Sequence, residues 1–276
     1  GGRAFEAEAR APSVARAVRP PPREGWDEWR QVRLYVSSTF LDMNPERKHL
    51  VRRTLKELGF FCRSQRLHLL VCDLRMGARH EAPPESIIRA CINELDRAKA
   101  ENGDPFFLYL GGNRYGWIPD EVPADLARRW GWVEGFSLTA MEVLEGAWRS
   151  RNPNAFFALR DGMGFTEHPR FQKRGAEEYS NFVDTVRAGA GSPATFKRDA
   201  WSHKRQQRLH SEIEARFDSS QVVRYTPGYM SADSENLLPK TLSVKLSGLD
   251  PMSASTLSFF KGRIQALYPA SAAPLL

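Results

Sequence analysis

The sequence contains no long hydrophobic run. Among its 276 residues, the longest apolar stretch lies at 106–110 and has only the length of a β-strand. A helix that crosses a membrane needs roughly 20 apolar residues, so the sequence predicts no membrane-spanning segment. The first residues, GGRAFEAEAR, also lack the apolar centre of a secretory signal peptide.

Cysteine and clustered metal ligands are scarce as well. The chain has three cysteines, Cys62, Cys72 and Cys91, an odd number without the spacing of zinc ligands. We interpret them as small core residues of a protein in a reducing compartment, and predict a cytoplasmic location. His203 and His210 lie on one polar helix but lack apolar surroundings, so we expect a solvated helix face there and no metal site.

No single sign of charge dominates the chain. Its 40 basic and 33 acidic residues leave a net charge of +7 and a pI near 9.5. This excess would raise affinity for polyanions, but the basic residues are interspersed with acidic ones and form no basic helix face interleaved with aromatic residues. The composition therefore does not favour nucleic acid as a partner.

A proline-rich segment and a change in composition divide the chain into three parts. Three consecutive prolines at 20–22 indicate a stiff connector, so we expect residues 1–25 to form a flexible leader. Residues 26–228 have the pattern of one folded domain. Residues 229–276 are rich in Ser and Leu, and we interpret them as a linker with a short helix at 256–267 that leads to a following domain.

Strand and helix patterns alternate through the middle part. Strands are predicted at 32–36, 67–72, 106–110, 154–159 and 221–225. Helices are predicted at 44–58, 84–102, 125–130, from Thr139 onward, 175–187 and 196–217. We expect Asn44 to cap the first helix and Gly59 to end it. Such alternation predicts an α/β fold with a five-stranded parallel sheet that has helices on both faces.

Three of the predicted strands end in polar or aromatic side chains. Ligands of open α/β sheets bind outside the carboxyl ends of the strands, so these residues are candidate ligand contacts. The candidates are Ser37, Ser38, Thr39, Phe40 and Asp42 after the first strand, Arg75 after the second, and Arg114, Tyr115 and Trp117 after the third. The hydroxyl groups equally suit the termination of a strand and the capping of a turn, and Arg75 could pair with Asp73 or Glu81.

Several motifs occur in a fixed order: VRLYVSSTFLDMNPER, VCDLRMG, IRACINELDRA, FFLYLGGNRYGWIP, SLTAMEVLEGA and NAFFALRD. In that order they resemble the TIR-like domain of unknown function at the N-terminus of nephrocystin and telomerase-associated NTPase proteins. The resemblance implies a flavodoxin-like strand order, 2-1-3-4-5. It also implies that a NACHT-type NTPase and WD40 or tetratricopeptide repeats follow in the full-length chain.

The resemblance implies two alternative functions. The first is a signalling module that acts through self-association or protein partners and requires no cofactor. The second is an NAD glycohydrolase with NAD as its substrate, in which Glu142 matches the catalytic glutamate of the enzymatic members. A carboxylate beside the ribose can stabilise the oxocarbenium-like charge of such a reaction. From the residues alone, Glu142 also fits a capping box with Thr139, so both roles stay open.

Overall fold

The computed structural model describes residues 29–73, 83–130, 134–162, 181–188, 195–234 and 242–269. We number the elements along the chain. They are β1 (Arg30–Ser38), α1 (Asn44–Arg52), α2 (Thr54–Ser64), β2 (Leu67–Cys72), α3 (Pro84–Asn102), β3 (Phe106–Gly111), α4 (Ala124–Arg129), α5 (Leu138–Val143), β4 (Ala155–Arg160), β5 (Thr185–Ala188), β6 (Thr195–Arg198), α6 (Ala200–Arg216), β7 (Val222–Tyr225), β8 (Gly228–Ser234), β9 (Leu242–Ser247) and α7 (Asp250–Leu267). A π-helical turn, Leu144–Trp148, continues α5.

A five-stranded parallel sheet forms the centre of the fold, in the order β2-β1-β3-β4-β7. Every residue of β3 and β4 is buried, as expected for apolar strands at the middle of a parallel sheet. β5 with β6 and β8 with β9 form two separate antiparallel hairpins. The predicted α/β class and the parallel sheet are therefore confirmed.

Alternating side chains of the strands divide the core into two clusters, one on each face of the sheet. Leu34 and Leu108 belong to the cluster that α1, α2 and α7 cover. Tyr35 and Phe107 point to the opposite face, where α3, α5 and α6 pack. This alternation has the two-residue period of a strand and explains why helices flank both faces.

Helix α7 is part of the packed core. We expected a short helix at 256–267 within a linker, but the helix begins at Asp250 and buries Met252, Phe260 and Ile264 against the sheet. Thr54 of α2 and Ser253 of α7 form a buried hydrogen bond between their hydroxyl groups. The polar composition of this segment therefore concealed a helix that the domain uses for packing.

Other boundaries also differ from the prediction. The helix expected at 44–58 is two helices, because α1 ends at Arg52 and α2 begins at Thr54. The predicted cap Asn44 lies inside α1, and the predicted end Gly59 lies inside α2. Within the helix expected at 175–187, residues 175–180 lie outside the described residues, whereas 185–188 form β5. Strand β2 is an edge strand and is only partly buried.

Two further predictions concern the cysteines and the membrane. Cys62 and Cys91 are buried in the core, as predicted, and Cys72 is partly buried; none of the three forms a disulfide bond. In the part of the chain that the structure describes, no helix combines the length and the apolarity that a membrane crossing requires.

Candidate functional site

The carboxyl ends of β1, β3 and β4 lie side by side and bring the predicted site residues of two loops together. Ser38 pairs with Leu110, and Gly111 pairs with Leu159. The chain after β1 therefore faces the loop 112–117 that follows β3. The three hydroxyl residues at the end of β1, Ser37, Ser38 and Thr39, are all buried.

Glu142 lies inside the protein beneath this edge of the sheet. Its side chain is only 1% exposed, and its two carboxylate oxygens accept hydrogen bonds from the Tyr35 hydroxyl at 3.0 Å and from the Ser37 hydroxyl at 2.5 Å. Tyr35 in turn stacks on Phe107, with ring centroids 5.9 Å apart. These bonds tie α5 to β1 across the sheet face.

The predicted capping box at Thr139 is wrong. Helix α5 begins at Leu138, and its cap is Ser137, whose hydroxyl accepts a hydrogen bond from the Ala140 amide at 3.2 Å. The Leu138 amide donates to the Trp117 carbonyl at 2.9 Å, so a contact with the loop after β3 sets the start of the helix. The Glu142 carboxylate is consequently available to Tyr35 and Ser37.

We expect Glu142→Ala to lower the free energy of unfolding by about 2 kcal/mol, because it removes the acceptor that two buried hydroxyl groups share. Glu142→Gln keeps one carbonyl oxygen in place and should cost about half as much. Urea unfolding of the three proteins measures the differences. Glu57→Ala is the control, since that side chain is 58% exposed, and it should change stability by less than about 0.5 kcal/mol. Equal stability of wild type and Glu142→Ala would contradict the importance of this buried contact.

A second buried cluster surrounds Arg160 at the end of β4. The Arg160 guanidinium donates to the Asp42 carboxylate at 3.1 Å and to the Glu46 carboxylate at 2.9 Å, and all three side chains are fully buried. Tyr225 also donates to Glu46, at 3.3 Å. Burial raises the pKa of Asp42 and that of Glu46, and the positive charge of Arg160 opposes both increases. The cluster holds the turn after β1 against β4 and β7.

The rest of the turn after β1 is fixed by Arg47 and Asp42. Arg47 donates to the Ser38 hydroxyl at 3.2 Å and to the Phe40 carbonyl at 2.9 Å, and its guanidinium lies 5.2 Å from the centre of the Phe40 ring. Thr39 donates to the Asp42 carboxylate. The polar groups of Ser38, Thr39 and Asp42 therefore bond within the protein. For the two hydroxyl residues, this agrees with the alternative that they stabilise the turn after the strand.

Asp184, which precedes β5, organises the loop after β3. Its carboxylate accepts hydrogen bonds from the Arg114 guanidinium at 3.0 Å, from the Tyr115 amide at 2.6 Å and from the Gly116 amide at 3.3 Å. Tyr115 is buried, and burial raises the pKa of its hydroxyl group. The Arg205 guanidinium lies 5.3 Å from the centre of the Tyr115 ring.

A cleft of about 220 Å³ opens between the two loops and the start of α5. Small-molecule sites have volumes of about 300–1,000 Å³, so this cleft is smaller than a typical cofactor pocket. Trp117 on its rim is 44% exposed. The lining residues are Thr39, Phe40, Leu41, Arg114, Gly116, Trp117, Leu138 and Thr139. Neither Glu142 nor Ser37 is among them.

The structure thus brings most of the predicted site residues to one edge of the sheet but gives them different surroundings. Thr39, Phe40, Arg114 and Trp117 line the cleft, whereas Ser37, Ser38, Asp42 and Glu142 are buried behind it. Arg75 lies outside the described residues. Ligand binding at these positions and a catalytic role for Glu142 stay predictions.

The expected solvated face at His203 and His210 is wrong for His210. That imidazole is buried, and its nitrogens lie 3.0 Å and 3.1 Å from the Gln206 side-chain nitrogen. Burial lowers the pKa of His210 to about 3, so the ring is neutral at physiological pH. Within the described ranges, no group of three His, Cys, Asp or Glu side chains could hold a metal ion.

Three residues that determine this geometry were not predicted as site residues: Glu46, Arg160 and Asp184. Arg160 had a usable signal, because it ends an apolar strand at the same sheet edge as the candidate residues. Glu46 gave only the signal of an acid in the first turn of a helix. Asp184 had none, since it is 70 residues from Arg114 in sequence.

Comparison with known families identifies the class of domain. The model described as "Domain of unknown function (DUF4062)" matches residues 33–210, which is well over half of the chain. The chain belongs to this family. The match covers the parallel sheet except β7, together with both loops of the cleft.

Three similar curated proteins are much longer than the segment that they share with this chain. Telomerase protein component 1 of Mus musculus is 32% identical over 122 residues, which are 42% of this chain and 4% of that protein. The protein of the same name from Rattus norvegicus is 31% identical over 122 residues, with the same coverage. A TPR repeat-containing protein of Dictyostelium discoideum is 25% identical over 171 residues, or 56% of this chain and 10% of that protein. No solved structure matches the chain significantly.

Proposed function

We propose that this domain is a TIR-like interaction module of a larger multidomain scaffold protein and that it acts by self-association. The first four strands of the parallel sheet follow the order of flavodoxin-like folds, 2-1-3-4, and β7, which comes after the β5–β6 hairpin in the chain, occupies the fifth position. This order supports a TIR-like fold. The small share of each long relative that the domain covers supports a place in a multidomain chain.

The single observation that carries the proposal is the burial of Glu142. A glutamate that stabilises an oxocarbenium-like transition state must lie beside the sugar. Here the carboxylate is 1% exposed, bonds to Tyr35 and Ser37, and does not line the cleft. This burial supports a structural role for Glu142 and weakens the argument for NAD hydrolysis.

The cleft itself suits a protein contact better than a dinucleotide. Its walls include the rings of Phe40 and Trp117 and the side chains of Leu41 and Leu138, while the charge of Arg114 is paired with Asp184. Energetically important contacts between proteins are often aromatic anchors in small, water-excluding pockets. We place the self-association contact at this cleft, with Trp117 as its anchor.

The proposal is tested by measuring association and NAD hydrolysis on the same protein. Light scattering across a concentration series should show an increase in mass that Trp117→Ala abolishes, because the variant loses the exposed anchor. Val186→Ala is the matched control, since Val186 is likewise exposed but lies on the β5–β6 hairpin, and it should associate as wild type does.

The same samples are incubated with NAD, and nicotinamide release is followed at concentrations that permit association. We expect no release from wild type or from Glu142→Gln. Release by wild type that Glu142→Gln abolishes would assign NAD glycohydrolase activity and overturn the proposal.

A further inference from the structure

The outer surface of α1 and α2 carries a concentration of positive charge. We define the α1–α2 basic surface as Val51, Arg52, Lys56, Phe60, Arg63 and Arg66, all of which are exposed. Within α2, Lys56, Phe60 and Arg63 are spaced at i, i+4 and i+7, so they lie on one side of the helix, opposite the buried Leu58 and Cys62. The sequence did not reveal this surface because the basic residues are divided between two helices.

The basic residues of this surface have no counter-ion among the residues that the structure describes. Within the described parts of the chain, no ion pair joins Arg52, Lys56, Arg63 or Arg66 to an acidic side chain. The acids that border the surface are already engaged: Asp250 pairs with Arg53 at 2.9 Å, and Glu57 pairs with Lys261 at 2.7 Å. Elsewhere many arginines are paired, for example Arg33 with Glu101 and Arg129 with Asp96. No acidic side chain of the described ranges therefore compensates the positive charge of this surface.

Exposed apolar side chains accompany this charge. Phe60 is 55% exposed and Val51 is 41% exposed, although most large apolar residues in the described ranges are buried. The Arg63 guanidinium lies 4.6 Å from the centre of the Phe60 ring, which holds it against the helix surface. Uncompensated cations around an exposed aromatic ring form a surface that complements carboxylates separated by an apolar side chain.

We propose that the α1–α2 basic surface binds an acidic segment of a partner protein in which carboxylates alternate with apolar side chains. Lys56 and Arg63 are about 10 Å apart along α2, since each helical residue rises 1.5 Å. In an extended segment, residues i, i+2 and i+4 point to one face and span about 13 Å. Carboxylates at i and i+4 can therefore reach both cations while an apolar side chain at i+2 contacts Phe60, so that acidic and apolar side chains alternate along that face. Only two apolar side chains are exposed here, which disfavours insertion into a lipid surface because that requires a broad apolar face. This inference rests on the proposed interaction role but uses a surface separate from the cleft.

The test uses a fluorescein-labelled synthetic peptide with the sequence Glu-Ser-Leu-Ser repeated four times, in which Glu and Leu alternate on one face of the extended chain. Its binding is followed by fluorescence anisotropy at low salt. We expect the triple variant Arg52→Gln, Lys56→Gln, Arg63→Gln to weaken binding by at least about tenfold, because three exposed charge contacts are lost. Phe60→Ser alone should weaken it by about threefold. The matched control is Arg128→Gln, Arg151→Gln, Lys204→Gln, which removes the same charge from exposed positions elsewhere and should change binding by less than about twofold.

Four results would overturn the inference. One is equal weakening by both triple variants, which would indicate attraction by net charge alone. Another is equal binding of a peptide in which Gln replaces every Glu. The third is sedimentation of the domain with phosphatidylserine vesicles through this surface without peptide binding, which would assign a membrane surface instead. Absence of peptide binding combined with self-association that Trp117→Ala abolishes would remove this inference and leave the proposed function intact.

Discussion

Arg160→Met should destabilise the domain by about 3–5 kcal/mol, one of the two largest effects we expect. Arg160 is the buried cation of the cluster, and its guanidinium contacts both Asp42 and Glu46. Methionine fills similar space but leaves two buried carboxyl groups without their positive partner, and breaking a buried ion pair from one side has this cost. Urea or guanidinium unfolding at pH 7, monitored by circular dichroism, measures the loss.

Arg224→Met is the matched control, since Arg224 also contacts two carboxylates, of Glu214 and Asp161, but its side chain is 41% exposed. Solvent screens those contacts, so we expect a loss below about 1 kcal/mol. A comparable loss in both variants would mean that burial of the Arg160 cluster does not increase its contribution to the free energy of unfolding.

The cost of Arg160→Met should depend on pH in a defined direction. Burial raises the pKa of Asp42 and of Glu46 in the folded protein, and Arg160 opposes both increases, so its removal raises them further. A carboxyl group with a raised folded pKa contributes stability that is fully present below its unfolded pKa of about 4 and is lost as the pH rises through the folded pKa. The difference between variant and wild type should therefore shrink when the pH is lowered from about 7 toward 5. A difference that stays constant over this interval would contradict the assignment.

The sheet was largely predictable from sequence because its signals are local. Strand β3 is a short apolar run that Pro105 precedes and glycines follow, and β2 was predicted with its observed bounds, Leu67–Cys72. Helix α3 likewise has a proline at its start, Gly103 at its end and a periodic apolar stripe between them. In these segments the local preference agrees with the packing that the fold requires.

Features that depend on distant contacts were not predictable in this way. Ser137 and Thr139 are both suitable caps, and the choice between them follows from the bond between the Leu138 amide and the Trp117 carbonyl. Helix α7 was underestimated because buried hydroxyl residues interrupt its apolar pattern. Its Thr256 hydroxyl donates to the Met252 carbonyl one turn earlier, so the side chain is satisfied without solvent.

In the candidate site as well, the positions of the residues were predictable from sequence, whereas their surroundings were not. Position at the carboxyl end of a strand was predictable, and the residues after β1 and β3 do meet at one edge of the sheet. Whether such a residue faces the cleft or the core depends on partners remote in sequence. Asp42 is buried because Arg160, 118 residues later, reaches it, and Glu142 is buried beneath Tyr35, 107 residues earlier. A motif therefore locates these side chains without specifying their accessibility.

Gly112→Ala should produce the other large effect, a loss of about 3 kcal/mol in the free energy of unfolding. A methyl group on Gly112 would lie 2.1 Å from a carboxylate oxygen of Asp42 and 2.6 Å from the sulfur of Met43. Neither neighbour can withdraw easily, because Met43 is fully buried and Asp42 is held by Arg160 and by the Asn113 amide at 3.2 Å. The added methyl group must therefore separate the turn after β1 from the loop after β3. Thermal and urea unfolding measure the loss.

Gly262→Ala provides the opposite expectation at a glycine with open surroundings. No atom lies within 4 Å of the position that its added methyl group would occupy, and the residue is inside helix α7. Alanine should therefore stabilise the protein by about 0.5–1 kcal/mol through helix propensity.

A double substitution, Gly112→Ala with Asp42→Ala, tests the proposed clash directly. Asp42→Ala removes the atom that the new methyl group meets first. The losses in free energy of unfolding of the two single variants should therefore sum to more than the loss of the double variant. Strict additivity would show that Gly112 is constrained by something other than Asp42.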